Sequence, residues 1–196
     1  MTPTIPRHFL FLLSSARSGG NSEQLARQAA QILTCPCTWL DLAAMSLPPF
    51  TDRRPALPSQ PEGCLAHVLE KMHAATDLCF VAPVYWYSLP TPAKLLLDHW
   101  SGFLDLPELG FPLWIRTKRL WLITTRADPE PTVADMSETI LRRTSDWLGM
   151  EWGGALHGVA DAVGEIEHDD AWQNASHFFS GPGAEIPDLP KVHHPH

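Results

Sequence analysis

The chain has 196 residues, with 14 Lys and Arg against 22 Asp and Glu for a formal net charge of −8, and it carries 4 cysteines. That length fits one domain with enough chain to bury a full hydrophobic core. The acidic balance argues against a nucleic-acid backbone or an anionic membrane as the main partner, and favours a small molecule or another protein.

In chain order, "HFLFLL" (residues 8–13) is short, almost continuously apolar and bounded by loop residues, as strands covered on both faces are. It is about half the length of a signal-peptide core of roughly 7–15 residues, and Arg17 stands where a small-residue cleavage site belongs. "SSARSGGNS" follows as a loop, and "NSEQLARQAAQIL" reads as a helix with Leu25, Ala29, Ile32 and Leu33 on one stripe. "CTWLDLA" is a weaker strand, "SLPPFTDRRPALPSQPEG" a long Pro-rich connection, and "PEGCLAHVLEKMHAA" a second helix. "TDLCFVAPV" (76–84) is a buried strand, "TPAKLLLDHWSGFL" a helix, and "KRLWLITT" (118–125) another buried strand. "TVADMSETILRRTSDWLG" reads as a helix stopped at Gly149, and "EWGGALHGVA" as the last strand.

Five strands alternating with about five helices imply an α/β fold, a doubly wound parallel sheet. Residues 1–180 form a single domain, and the Pro- and His-rich 181–196 an extended, partly mobile tail. His193, His194 and His196 read as solvated tail, so no metal site is assigned. Cys35, Cys37, Cys64 and Cys79 fit neither C-x-x-C nor a zinc spacing and read as buried free thiols. No stretch approaches the roughly 20 apolar residues of a membrane helix, which points to a cytoplasmic protein.

Parallel sheets of this kind bind ligands beyond the carboxyl ends of their strands. After the first strand come Ser14, Ser15, Arg17, Ser18, Gly19, Gly20, Asn21 and Ser22, and then a helix begins. A helix N-terminus offers unpaired N–H groups and a partial positive charge. The hydroxyls of Ser15, Ser18 and Ser22 and the Asn21 amide add donors, and Arg17 can grip two phosphate oxygens at once. The loop reads as a phosphate cradle; the competing reading is a plain turn with Asn21 or Ser22 capping the helix. There is no G-x-x-x-x-G-K-[ST], no G-x-G-x-x-G and no C-x5-R, so the phosphate is held and not cleaved.

After the third strand, Tyr85, Trp86 and Tyr87 stand where a planar conjugated ring would lie. "SSARSGGNSEQLA" resembles the "GSPRxxGNTxxLA" loop, and "PVYWYSLPTPAKLLLDHW" the "PVYWxxxPxxLKxxxDR" segment, of the flavodoxin-like NAD(P)H-dependent FMN reductase and quinone reductase family. The resemblance covers nearly the whole chain through its β/α alternation. It implies a flavodoxin-like five-stranded sheet of order 2-1-3-4-5 with helices on both faces.

By that resemblance FMN is the cofactor and NAD(P)H the reductant. Ser15, Arg17, Ser18, Gly20, Asn21 and Ser22 would surround the phosphate. Pro83, Val84, Tyr85, Trp86 and Tyr87 would edge the isoalloxazine, with backbone N–H groups of that loop on its N1/O2 side. In the third loop, "TTRADPEPT" puts Thr125, Arg126 and Asp128 in place of the family's glycines, and Thr125 and Arg126 are its cofactor-binding candidates; Arg126 either approaches the ring or a nicotinamide phosphate, or faces solvent. The flavin performs the chemistry, so no catalytic acid, base or nucleophile is assigned. Lys94 and Asp98 fit a surface ion pair, and Trp100, Trp114 and Trp121 fit core or subunit contacts. The expected protein is an oxidoreductase passing hydride to a quinone, free flavin or similar small acceptor, and a homodimer. The rivals are a flavodoxin-type electron carrier and a flavin-free relative acting by protein interaction.

Overall fold

Phe9–Leu13 (β1), Cys37–Asp41 (β2), Asp77–Pro83 (β3), Arg119–Arg126 (β4) and Glu151–Val159 (β5) form one parallel sheet of order β2-β1-β3-β4-β5 in the computed structural model, which describes residues 6–52, 54 and 60–180. The flavodoxin-like doubly wound order expected from the resemblance is present. The expected tail at 181–196 and part of the Pro-rich connection, residues 53 and 55–59, lie outside the described residues.

Side chains alternate across a strand, and here the alternation divides two cores. Leu10, Leu12, Leu78, Phe80, Leu120 and Leu122 face one side. There they meet Gly63–Ala74 (α2), Thr91–Leu104 (α3), the short Phe111–Ile115 (α4) and Asp135–Leu148 (α5), through Val68, Leu96, Ile115 and Leu141. Phe9, Phe11, Cys79, Val81, Trp121 and Ile123 face the other side, against Asn21–Ala30 (α1), Asp170–Asn174 (α6) and the turn Ala175–Ser180. Because both faces are covered, the strands read in sequence as unbroken apolar runs.

Some expectations need correction. Helix α1 ends at Ala30, so Ile32 leaves the buried stripe and is 38% exposed. All four cysteines are free, but only Cys79 is buried; Cys35, Cys37 and Cys64 are partly exposed. Helix α3 runs as expected, and Lys94 and Asp98 pair on its surface at 2.5 Å. Trp100 and Trp121 are core residues, while Trp114 is partly buried against the core. Gly149 closes α5 in the left-handed conformation, φ 70°, which a residue without Cβ adopts freely.

Candidate functional site

The order β2-β1-β3 places the switch point between β1 and β3, and four loops meet at the carboxyl edge there. The first leaves β1 through Ser14, whose N–H and hydroxyl both donate to the Val81 carbonyl on β3, at 3.0 and 3.1 Å. Ser15 then accepts from the Arg17 N–H at 3.1 Å. Gly19 turns the chain at φ +65°, and the buried Gly20 is the N-cap of α1, with no side chain capping the helix. The cap is therefore neither Asn21 nor Ser22. Among the described residues the N–H groups of Ser18, Gly20, Asn21 and Ser22 have no hydrogen-bond partner, as the open first turn of a helix requires.

Asn21 and Ser22 are used differently from the sequence-based expectation. The Asn21 amide donates to the Ala162 carbonyl and accepts from the Gly164 N–H, both at 2.9 Å. Ser22, almost fully buried, shares a hydrogen bond of 2.9 Å with the Thr125 hydroxyl at the end of β4. Both side chains knit the first loop to the loops after β4 and β5. Their backbone N–H groups stay open toward the cradle. The side chains free to face an anion are those of Ser15, Arg17 and Ser18, the last two exposed and the first half-buried.

Glu23, a residue missed in the sequence, holds the shape of the first loop. Its carboxylate accepts from the Gly19 N–H at 2.8 Å and from Arg27 at 2.6 Å, while Arg27 lies 4.4 Å over the Trp39 ring. The signal was present: an acidic residue in the first turn of a helix can reach back to the N–H groups just before it, here that of Gly19.

The second loop turns tightly. Tyr85 and Ser88 exchange backbone hydrogen bonds of 3.0 and 3.2 Å, and the two residues between them, Trp86 and Tyr87, sit at φ 49° and 62°. Left-handed backbone at a bulky residue costs on the order of 1–3 kcal/mol and recurs at ligand-binding sites. Here it lifts two aromatic rings off the sheet edge, Trp86 94% and Tyr87 62% exposed. Tyr85 leans back until its hydroxyl stands 3.5 Å from Ser15 Oγ, joining the first two loops. The Val84 N–H donates to Thr125 O at 2.8 Å, so Pro83 and Val84 are strand-end residues. Among the described residues, the N–H groups of Trp86, Tyr87 and Leu89 in this loop have no hydrogen-bond partner.

The third loop begins at Thr125 and Arg126. Arg126 is only 9% exposed, which removes the solvent-facing alternative. The fourth loop closes the edge: Ala160 N–H donates to Arg126 O at 2.9 Å, and Glu165 accepts from the Asp161 and Ala162 N–H groups at 3.0 and 2.9 Å. Those bonds, that from Ala162 foremost, hold the Glu165 carboxyl below its ordinary value. Gly158 permits the close approach here, since a Cβ on it would run into Ile166 and crowd Leu25 and Thr125. Two cavities of about 370 and 290 Å³ lie elsewhere, beside α3, and no candidate residue lines either.

Known proteins share this fold. A family model described as a flavodoxin-like fold matches residues 7–177. YwqN of Bacillus subtilis strain 168, a protein whose name describes an NAD(P)H-dependent FMN-containing oxidoreductase, is 25% identical over 158 residues, 78% of this chain and 85% of the relative. Two solved structures share the fold. The Trp repressor binding protein of Bacillus subtilis superposes with a TM-score of 0.70 at 22% identity, over 90% of this chain and 99% of that one. An FMN-dependent NADH-azoreductase of Bacillus anthracis, in complex with FMN, superposes with a TM-score of 0.60 at 11% identity, over 89% and 98%.

Proposed function

The chain belongs to the family of flavodoxin-like folds, and we propose that within it the protein is an NAD(P)H-dependent FMN oxidoreductase that delivers hydride to a quinone, a free flavin or a similar small acceptor. The observation that carries this reading is the contact between the open N-terminus of α1 and the aromatic turn. Ser15 and Tyr85 bring a phosphate-sized set of donors beside two raised rings at one switch point. The relative named for bound FMN and NAD(P)H supports the same choice of ligands.

The residues fit the cofactor. Free N–H groups of Ser18, Gly20, Asn21 and Ser22, the hydroxyls of Ser15 and Ser18 and the Arg17 guanidinium make a donor set for a phosphate dianion. When bound, FMN supplies a flavin N5 that accepts hydride from the nicotinamide and returns it to the acceptor.

The chain's own part is binding and positioning. Arg17 and the first-turn N–H groups fix the phosphate, and the Trp86 and Tyr87 N–H groups offer donors to the ring edge where negative charge gathers on reduction. Trp86 and Tyr87 give a second planar ligand an apolar surface to stack on. This aromatic, uncharged turn is the reason to prefer an enzyme over an electron carrier. The reading includes a homodimer, for which exposed Leu113 and Trp147 provide apolar surface. It also includes a cytoplasmic setting; no described helix is long and apolar enough to cross a membrane. Mass spectrometry of the cofactor that copurifies, followed by an acceptor screen with NADH and NADPH, tests the reading. FMN with turnover of a quinone or free flavin is expected; protein that takes up no flavin from excess FMN contradicts it.

A further inference from the structure

Among the described residues Arg126 is a buried cation without a counter-ion. It is 9% exposed, its Nε is buried with no partner, and its one hydrogen bond is a long one of 3.3 Å from Nη2 to the Pro129 carbonyl. Among the described residues no carboxylate pairs with it, although Asp128 and Glu130 are close in the chain. Asp128 accepts from the Glu130 N–H, and Glu130 from the Thr132 N–H and hydroxyl. An unpaired buried charge is destabilising, so this guanidinium has free energy to gain from an incoming anion.

Its position says which anion. Thr125 points toward α1 and the phosphate cradle, where it meets Ser22. Arg126, the next residue of the strand, points to the opposite face, as do Thr124, Leu122 and Leu120. That face is covered by α5. Thr124 is in register with His157, and His157 Nε2 lies 2.7 Å from Glu138, next to the buried Ser137 in the first turn of α5. The hydroxyls of Thr124 and Ser137 are, like Arg126 Nε, buried without partners. On that face, away from the cradle that takes the flavin's single phosphate, Arg126 Nε and, two residues back along β4, the Thr124 hydroxyl are thus unsatisfied among the described residues.

We propose that Arg126 binds an oxyanion of the second ligand, the phosphates of the nicotinamide dinucleotide, and so recruits the reductant without holding the flavin. This rests on the reading of the protein as an NAD(P)H-dependent FMN oxidoreductase. The pyrophosphate is the assigned group; the 2′-phosphate of NADPH has the same chemistry, and the experiment separates the two.

The test uses protein first shown to hold FMN. It is titrated calorimetrically with ADP-ribose and with 2′-phospho-ADP-ribose, which carry the phosphates but no nicotinamide. Wild-type protein is expected to bind both. Arg126→Met should weaken both about tenfold to a hundredfold, and Arg126→Lys should recover part of the loss. FMN affinity should stay unchanged, and the thermal midpoint of Arg126→Met should be equal to or above that of wild type, because an unpaired buried charge has been removed. A loss confined to the 2′-phosphorylated probe reassigns the contact to the 2′-phosphate and still supports an oxyanion site for the reductant. Binding of both probes untouched by Arg126→Met, no binding by wild type, or a parallel loss of FMN overturns the proposal. Failure of the starting protein to take up flavin from excess FMN, by contrast, overturns the reading beneath it.

Discussion

Ser22 in the first turn of α1 and Thr125 at the end of β4, 103 residues apart in the chain, share a buried hydrogen bond of 2.9 Å. It fixes the helix whose N-terminus is the proposed phosphate cradle to the strand that begins the third loop. Replacing either residue alone leaves the other hydroxyl buried and unpaired, a cost of about 1–3 kcal/mol. Ser22→Ala and Thr125→Val should each lower stability by that order in urea unfolding, and the double variant should lose less than the sum of the two. Strictly additive losses would mean that the hydroxyls do not depend on one another.

Arg17 is exposed and has no described partner, so the fold does not rely on it. Arg17→Ala should therefore leave the thermal midpoint in place. A hydrogen bond to a charged group is worth about 1.5–3 kcal/mol, so the FMN dissociation constant should rise roughly tenfold to a hundredfold. Riboflavin, which lacks the phosphate, should bind wild type weakly and respond little to the substitution. Equal affinities for FMN and riboflavin would remove the cradle assignment.

Glu165 braces the fourth loop through the Asp161 and Ala162 N–H groups, and Asn21 grips the same loop from α1. These bonds hold its carboxyl below the ordinary glutamate value of 4.5. A carboxyl lowered in the folded state contributes stability that is present above the unfolded value and lost as pH falls through the folded one. The gap in thermal midpoint between wild type and Glu165→Gln should accordingly be open at neutral pH and close as the solution is acidified below about 4. A gap of constant size across that range would contradict the bracing role.

The fold was legible because its strands are buried on both faces: "HFLFLL" and "KRLWLITT" leave no polar period to misread. Helix α3 was legible from the Thr91–Pro92 start, where proline sits at a position that tolerates it. Helix α1 was overextended because Ile32 continues the apolar stripe in sequence, although the chain has already turned away. In the site, residue types and order were readable, but pairings were not. The sequence offers the Asn21 and Ser22 side chains as phosphate donors, while the partners they have within the protein lie 141 and 103 residues away, where no local pattern reaches. The burial of Arg126 was equally hidden, since it depends on how the third loop and α5 fold over the end of β4.

The central claim is that a nicotinamide can reach the flavin beside Trp86 and Tyr87 and transfer hydride without help from a protein acid or base. Anaerobic mixing of FMN-loaded protein with NADH, and separately with NADPH, measures this directly through the absorbance of oxidised flavin. The account predicts bleaching by at least one of them at a rate on the order of 1–10³ s⁻¹, reversed when a quinone is added. Flavin that stays oxidised in an excess of both nucleotides, while dithionite reduces it normally, would contradict the account and leave an electron carrier in its place.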